Sequence, residues 1–228
     1  MKMAVYDHEE QEQLDELKAW WRQYGNLVTG ALLVVAIGLA GWQGWNWWQR
    51  EQSLQASALY TLVERAAEAR DAKRIADAAG ELINKYAGTR YAVMAALLSA
   101  RTQIEAGDMK AARTQLDWAQ THAKDSELRD LARLRLAELL LEEKSYDEAL
   151  QTLSAEPAAP FVPRYAEVRG DVLVAQGKIE DAEKSYQSAL DKLGELQKSA
   201  NPAQQQSAYR DMLLVKLESL AMVGGKQP

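Results

Sequence analysis

The chain has 228 residues, of which 47% are hydrophobic, a formal net charge of -6 and no cysteine. This length favours a membrane segment plus one domain over two full domains. The interspersed acidic and basic residues argue against nucleic-acid binding, which needs clustered Lys and Arg. Without cysteine there are no disulfides, thiolate metal sites or thiol nucleophiles.

The first predicted element is a membrane-spanning helix over residues 26–48. No residue from Gln23 to Gln49 is charged, and a run of this length can cross a hydrocarbon layer of about 30 Å. Amphipathic rings favour both edges of a membrane, and they occur here at Trp20, Trp21 and Tyr24 and at Trp42, Trp45, Trp47 and Trp48. A buried core helix and a cleaved signal peptide fit less well, because the apolar run is longer and the start is acidic. Residues 1–25 are therefore predicted to be an acidic amphipathic tail.

Small residues within this segment form a predicted packing face for another transmembrane helix. They are Ala36, Ala40 and Gly44, spaced by four, with Gly41 beside them. The alternative is that Gly and Ala occur here only because they are common in membrane helices. Basic residues flank the segment equally, so charge leaves its orientation open.

Residues 49–222 are predicted to form one repeat domain, with 223–228 as a tail. Turn positions at Lys73, Gly107, Lys144 and Gly177 are 34, 37 and 33 residues apart. Each has a small residue seven positions before it, an apolar residue two after, Ala five after and a large apolar residue nine after. The four units are Ala66, Ile75, Ala78, Leu82; Ala100, Met109, Ala112, Leu116; Ala137, Tyr146, Ala149, Leu153; and Gly170, Ile179, Ala182, Tyr186.

This pattern predicts helical hairpins that cross at small residues. Gly107 and Gly177 suit a left-handed residue at a helix end, whereas Lys73 and Lys144 suit it less well. A last helix, with Asn201 and Pro202 as its start signal, is expected to cap the array. The predicted fold is all-α: one N-terminal transmembrane helix, an α-solenoid of about four degenerate tetratricopeptide-like hairpins, and a C-terminal capping helix.

The sequence offers no catalytic constellation. His8 and His122 are the only histidines, and His122 is predicted to cap a helix end. Gly-rich phosphate loops, nucleophile elbows and metal-ligand spacings do not occur. We therefore expect no enzyme activity, no cofactor, no metal and no small-molecule substrate.

A solenoid of hairpins usually binds proteins on the concave surface formed by its first helices. By analogy, the predicted groove residues are Tyr60, Val63, Met94, Leu97, Arg101, Leu131, Leu134, Glu138, Arg164, Glu167 and Asp171. The alternative for the apolar members is that they pack in the core, since packing alone produces the same helical spacing.

The units resemble the tetratricopeptide repeat in the alanine of the second helix and in turns such as Gly107-Asp108, over roughly residues 53–193. With the acidic start, Trp20-Trp21 and the Gly-rich membrane helix ending in Trp, the whole chain resembles the YfgM family. The resemblance implies a bacterial inner-membrane protein with a cytoplasmic N-terminus and a periplasmic repeat domain, which serves as an ancillary subunit of the SecYEG translocon. It further implies a membrane-anchored periplasmic chaperone of the prolyl-isomerase type as partner, and a role in passing translocated chains to periplasmic chaperones. A general envelope scaffold for cell-division or wall-synthesis proteins is the alternative function.

Overall fold

The computed structural model describes residues 6–199 and 207–223. Within these ranges the chain forms nine α-helices. Their bounds are α1 Tyr6–Glu68, α2 Ala72–Tyr86, α3 Arg90–Glu105, α4 Met109–His122, α5 Ser126–Glu142, α6 Tyr146–Thr152, α7 Val162–Ala175, α8 Ile179–Ser199 and α9 Ser207–Val223. The predicted all-α class with one long apolar N-terminal helix is confirmed.

The chain divides into two compact units, Met1–Gln52 and Ser53–Pro228. In the first unit the apolar side chains of α1 are uncovered: Val34 and Ile37 are each 71% exposed. By length and composition, α1 is the one helix among the described residues that could cross a membrane. The core helix of a soluble protein would bury such side chains, so the exposure excludes the buried-helix alternative.

In the second unit every hairpin turns through the same backbone motif. The second residue after each first helix has a positive φ: Arg70 at 53°, Gly107 at 81°, Lys144 at 62° and Gly177 at 74°. At the second turn, Gly107 N–H donates to the Ile104 carbonyl at 2.9 Å and Asp108 N–H donates to the Gln103 carbonyl at 2.8 Å. The other three turns repeat this pair of bonds, which together form a Schellman motif. Carbonyls at the carboxyl ends of all four first helices are therefore hydrogen-bonded in the same way.

The first turn lies three residues earlier than the sequence predicts. Arg70 is the left-handed residue, whereas Lys73 lies inside α2. Arg70 is 37 residues from Gly107, the same separation as from Gly107 to Lys144. The error arises because residues three apart share nearly the same helix face, so a slipped register still matched apolar positions. Lys144 does adopt the left-handed conformation that the sequence made less favourable.

In the corrected register, the two helices of each hairpin cross where one large residue faces one small residue. Seven positions before and nine after the turn, the pairs are Val63 with Ala79, Ala100 with Leu116, Ala137 with Leu153 and Gly170 with Tyr186. The first three pairs each lie within one core cluster, and the Tyr186 ring lies directly over Gly170. A larger residue on one helix thus meets a smaller one on the other, which keeps each crossing filled.

The third hairpin has a shortened second helix, because α6 has only seven residues. A 3₁₀ turn at Ala159–Phe161 follows it and leads into α7. Asp130 of α5, which is 3% exposed, accepts a hydrogen bond from Ala158 N–H at 2.8 Å. The Tyr165 hydroxyl donates to the Asp130 carbonyl at 2.9 Å. The irregular segment is therefore fixed to the neighbouring helices.

The last helix, α9, closes the apolar end of the array as predicted. Leu213 and Leu220 are buried in one cluster with Ala182 and Tyr186 of α8. The predicted start signal at Asn201 and Pro202 lies outside the described ranges.

Candidate protein-binding groove

A groove lies between the first helices α3 and α5, with a volume of about 380 Å³. Leu97, Ile104 and Leu131 are half-buried along it. Leu116 and Leu139, each 1% exposed, form its base. We call this space the α3–α5 groove. The structure brings four of the predicted residues together there: Leu97, Arg101, Leu131 and Glu138.

Charged side chains also line the groove, around its apolar base. Arg101 donates from Nε to Glu105 Oε1 at 2.9 Å, and Arg135 donates to Glu138 Oε2 at 2.8 Å. Glu142 also lines the groove, and no ion pair joins it to another described residue. Such exposed pairs contribute little to stability, typically about 0.2–1 kcal/mol, so they remain available to an incoming ligand.

Three further predicted residues lie on α7 and are held by ion pairs. Arg164 donates to Glu138 Oε1 at 3.2 Å and to Glu167 Oε2 at 2.6 Å. Lys216 of α9 donates to Glu167 Oε1 at 2.8 Å and to both oxygens of Asp171, at 2.7 and 2.8 Å. Side chains of this chain therefore already satisfy Arg164, Glu167 and Asp171, and α9 occupies that part of the surface.

Two tyrosines complete the contact with α9. The Tyr186 hydroxyl donates to Asp171 Oδ1 at 2.6 Å, and the Lys216 ammonium lies 5.5 Å from the centre of the same ring. Burial, reinforced by the hydrogen bond to Asp171, raises the pKa of Tyr186. Burial and the neighbouring Glu167 carboxylate likewise raise the pKa of Tyr209. Both rings thus remain protonated well above neutral pH.

The other predicted residues do not line the α3–α5 groove. Val63 and Leu134 are buried in core clusters, so for them the core alternative holds. For Val63 the cause is the three-residue slip in the predicted register of the first hairpin. Tyr60 is half-buried and packs against Tyr91, with ring centres 5.8 Å apart. Met94 is half-buried one turn before Leu97.

Several groove residues were not predicted from the sequence. Extending the predicted faces by one turn beyond Arg101 and Glu138 would have found Ile104, Glu105 and Glu142. Arg135 lies one turn after Leu131, within the predicted range. Lys216 could not be found in this way, because it is 49 residues from Glu167.

The predicted transmembrane packing face lies on α1. Ala36, Ala40, Gly41 and Gly44 are all exposed, and a Cβ added at Gly41 or Gly44 would meet no atom within 4 Å. No described residue of this chain covers the face, so its role as a packing surface stays a prediction.

The described side chains provide no metal site: no group of three or more His, Asp and Glu residues within them could hold an ion. His122, the last residue of α4, has Nδ1 2.9 Å from the Trp118 carbonyl and stacks on the Trp118 ring with centres 4.5 Å apart. This geometry agrees with the helix-end role predicted for His122.

A protein-family model described as a tetratricopeptide repeat-like domain matches residues 18–222. A Neisseria gonorrhoeae protein named Ancillary SecYEG translocon subunit is 33% identical, with 93% of this chain and 97% of the relative covered. A Haemophilus influenzae protein of the same name is 32% identical, with 90% and 96% covered. Both relatives are therefore similar to this chain over nearly their full lengths.

The fold also resembles a solved structure, MamA 41-end from Desulfovibrio magneticus RS-1. The TM-score is 0.50 at 18% sequence identity, and the match covers 74% of this chain and 96% of that one. At this identity the likeness concerns the fold alone. The repeat-like scaffold and the names of the relatives point to a non-catalytic protein.

Proposed function

This chain belongs to the tetratricopeptide repeat-like family of ancillary SecYEG translocon subunits, and from that premise we propose that it binds the SecYEG translocon as an accessory subunit. Its repeat domain holds partner proteins, and the α3–α5 groove is the contact surface. The observation that carries the proposal is the match over nearly the whole chain, which includes both the apolar helix and the repeat units. A binding role, not catalysis, is what such a surface supports.

The proposal extends to membrane placement and partners. The chain spans the bacterial inner membrane once, with residues 1–25 in the cytoplasm, residues 26–48 in the membrane and residues 49–222 in the periplasm. Its partners include a membrane-anchored periplasmic chaperone of the prolyl-isomerase type, and it helps pass translocated chains to periplasmic chaperones.

Affinity capture of the full chain in mild detergent tests the partners. We expect SecYEG subunits and a prolyl-isomerase-type chaperone to copurify in amounts comparable to the chain, and an unrelated single-pass membrane protein to capture neither. Recovery of cell-division or wall-synthesis proteins without SecYEG would instead favour the envelope scaffold and refute the proposal.

Single-cysteine labelling tests the orientation, because the chain has no cysteine of its own. An impermeant maleimide applied after permeabilisation of the outer membrane should label a Glu127→Cys variant, whose site is exposed on α5. It should label Gln11→Cys only after the inner membrane is broken. The reverse pattern would contradict the proposed orientation.

A further inference from the structure

We propose that the α3–α5 groove selects partner segments in which a bulky apolar side chain stands beside a Lys or Arg. This inference rests on the proposed function, namely that the groove holds partner proteins, and adds the chemistry of the bound segment. It is carried by the charge left over at the groove edge and by the apolar surface next to it.

The charged side chains of the groove and of the adjoining part of α7 form ion pairs, with one exception. Arg101 is neutralised by Glu105. A second set of ion pairs joins α5, α7 and α9. It contains three cations and three carboxylates: Arg135, Arg164 and Lys216 with Glu138, Glu167 and Asp171. Glu142 also lines the groove, but it belongs to neither set and makes no ion pair with a described residue. The uncompensated charge in the groove is therefore negative.

That charge lies at one end of the groove. Glu142 is the last residue of α5, and Glu105 is the last residue of α3. The carboxyl ends of two helices, which carry partial negative charge, thus meet at the same end of the groove. A cation placed there gains from Glu142 and from both helix ends, whereas an acidic group is repelled by all three.

The remainder of the groove is apolar. Leu97 and Leu131 line it together with the small residue Ala100 and the buried Leu116 and Leu139. Leu97 and Leu131 are only half-buried, so a large apolar side chain seated between α3 and α5 would remove their remaining surface from water. A purely polar basic segment would leave that surface uncovered. The two halves together define a segment with one large apolar and one adjacent basic side chain.

Binding of short peptides to the full chain tests this inference. Three fluorescein-labelled peptides share a Gly-Ser background and differ in one central pair, Trp-Arg, Trp-Glu or Ser-Arg. Fluorescence anisotropy is measured with the full chain in phosphatidylcholine nanodiscs, and binding to empty nanodiscs is subtracted. We expect the Trp-Arg peptide to bind more tightly than either of the others.

Two variants that remove one negative charge each provide the matched comparison. Glu142→Gln should weaken Trp-Arg binding about threefold, as expected for an exposed charge pair, and leave Trp-Glu binding no weaker. Asp77→Asn changes an exposed site on α2 and should change neither. Raising the salt concentration should reduce the preference of the unmodified chain for Trp-Arg over Trp-Glu.

The outcomes separate this inference from the proposed function. Equal binding of Trp-Arg and Trp-Glu, equal effects of the two charge variants, or no peptide binding would each overturn the inference. If SecYEG still copurifies with the full chain, the proposed function survives that failure. If SecYEG does not copurify, the proposed function fails whatever the peptides do.

Discussion

At the scale of single residues, the close contact of Gly170 with Tyr186 is where the packing tolerates least change. A Cβ at Gly170 would lie 2.6 Å from Tyr186 Cδ1 and closer still to Cε1. The Tyr186 ring cannot withdraw easily, because its hydroxyl is bonded to Asp171 and Lys216 lies over its face. The absent side chain is therefore a packing requirement of the fourth hairpin.

Gly170→Ala should destabilise the protein by about 1–3 kcal/mol through overpacking. Gly80→Ala is the control, since Gly80 lies in α2 with open space around its Cβ position. That change should be neutral or stabilising by up to about 1 kcal/mol, because Ala favours the helix. The free energies of unfolding of both variants are measured by denaturant titration monitored by circular dichroism. Equal effects of the two substitutions would show that the contact of Gly170 with Tyr186 is unimportant.

The raised pKa of Tyr186 predicts how stability depends on alkaline pH. Above the ordinary tyrosine pKa of about 10, the unfolded chain loses this proton while the folded chain keeps it. Stability therefore falls as pH rises from about 10, by about 1.4 kcal/mol per pH unit for one proton. Tyr186→Phe should remove that part of the slope. An unchanged slope in unfolding measured between pH 10 and 11 would contradict the assignment.

At the scale of elements, the helices were easier to predict than their register. Gly107 and Gly177 marked two turns directly, because glycine is the residue that most readily adopts positive φ. Arg70 and Lys144 adopt the same conformation without that signal, and the first hairpin was placed three residues too late as a result. The exchange of large and small residues across each hairpin became visible only in the corrected register.

Two glycine substitutions test the corrected register. Lys144→Gly should stabilise the protein by about 1 kcal/mol, because a left-handed conformation is costly for a residue with a Cβ. Lys73→Gly should instead destabilise it, by up to about 1 kcal/mol, because Lys73 is the second residue of α2 and has no left-handed conformation to relieve. Both free energies of unfolding come from denaturant titration. A stabilising effect of Lys73→Gly would contradict the corrected register and place the first turn at Lys73, as predicted from the sequence.

The docking of α9 depends on Lys216 more than sequence spacing could reveal. Glu167 is 3% exposed, so Lys216→Ala leaves a buried carboxylate with one cation fewer. We expect a loss of about 2 kcal/mol, typical of a hydrogen bond to a charged group. Amide hydrogen exchange should speed up in α9 first. Lys192→Ala, which removes an exposed pair with Glu195, is the control and should leave α9 protection unchanged.

At the scale of the whole molecule, helical spacing predicted the central part of the groove and long-range pairing decided the rest. Leu97, Arg101, Leu131 and Glu138 were found because residues on one helix face come together wherever first helices lie side by side. Glu142 was missed, although it follows Glu138 by one turn on α5. Lys216 of α9 pairs with the acidic residues of α7, although the two helices are far apart in the sequence. No local sequence pattern predicts such a contact.

The α3–α5 groove is proposed to bind translocon or chaperone partners. Photocrosslinking in native membranes tests it most directly, with a photoreactive amino acid placed at Leu131 or Arg101 in the groove and at Asp77 on α2 as the control. We predict adducts with SecYEG subunits or a periplasmic chaperone from the two groove positions and none from Asp77. Empty groove positions, or equal adducts from all three, would contradict the claim.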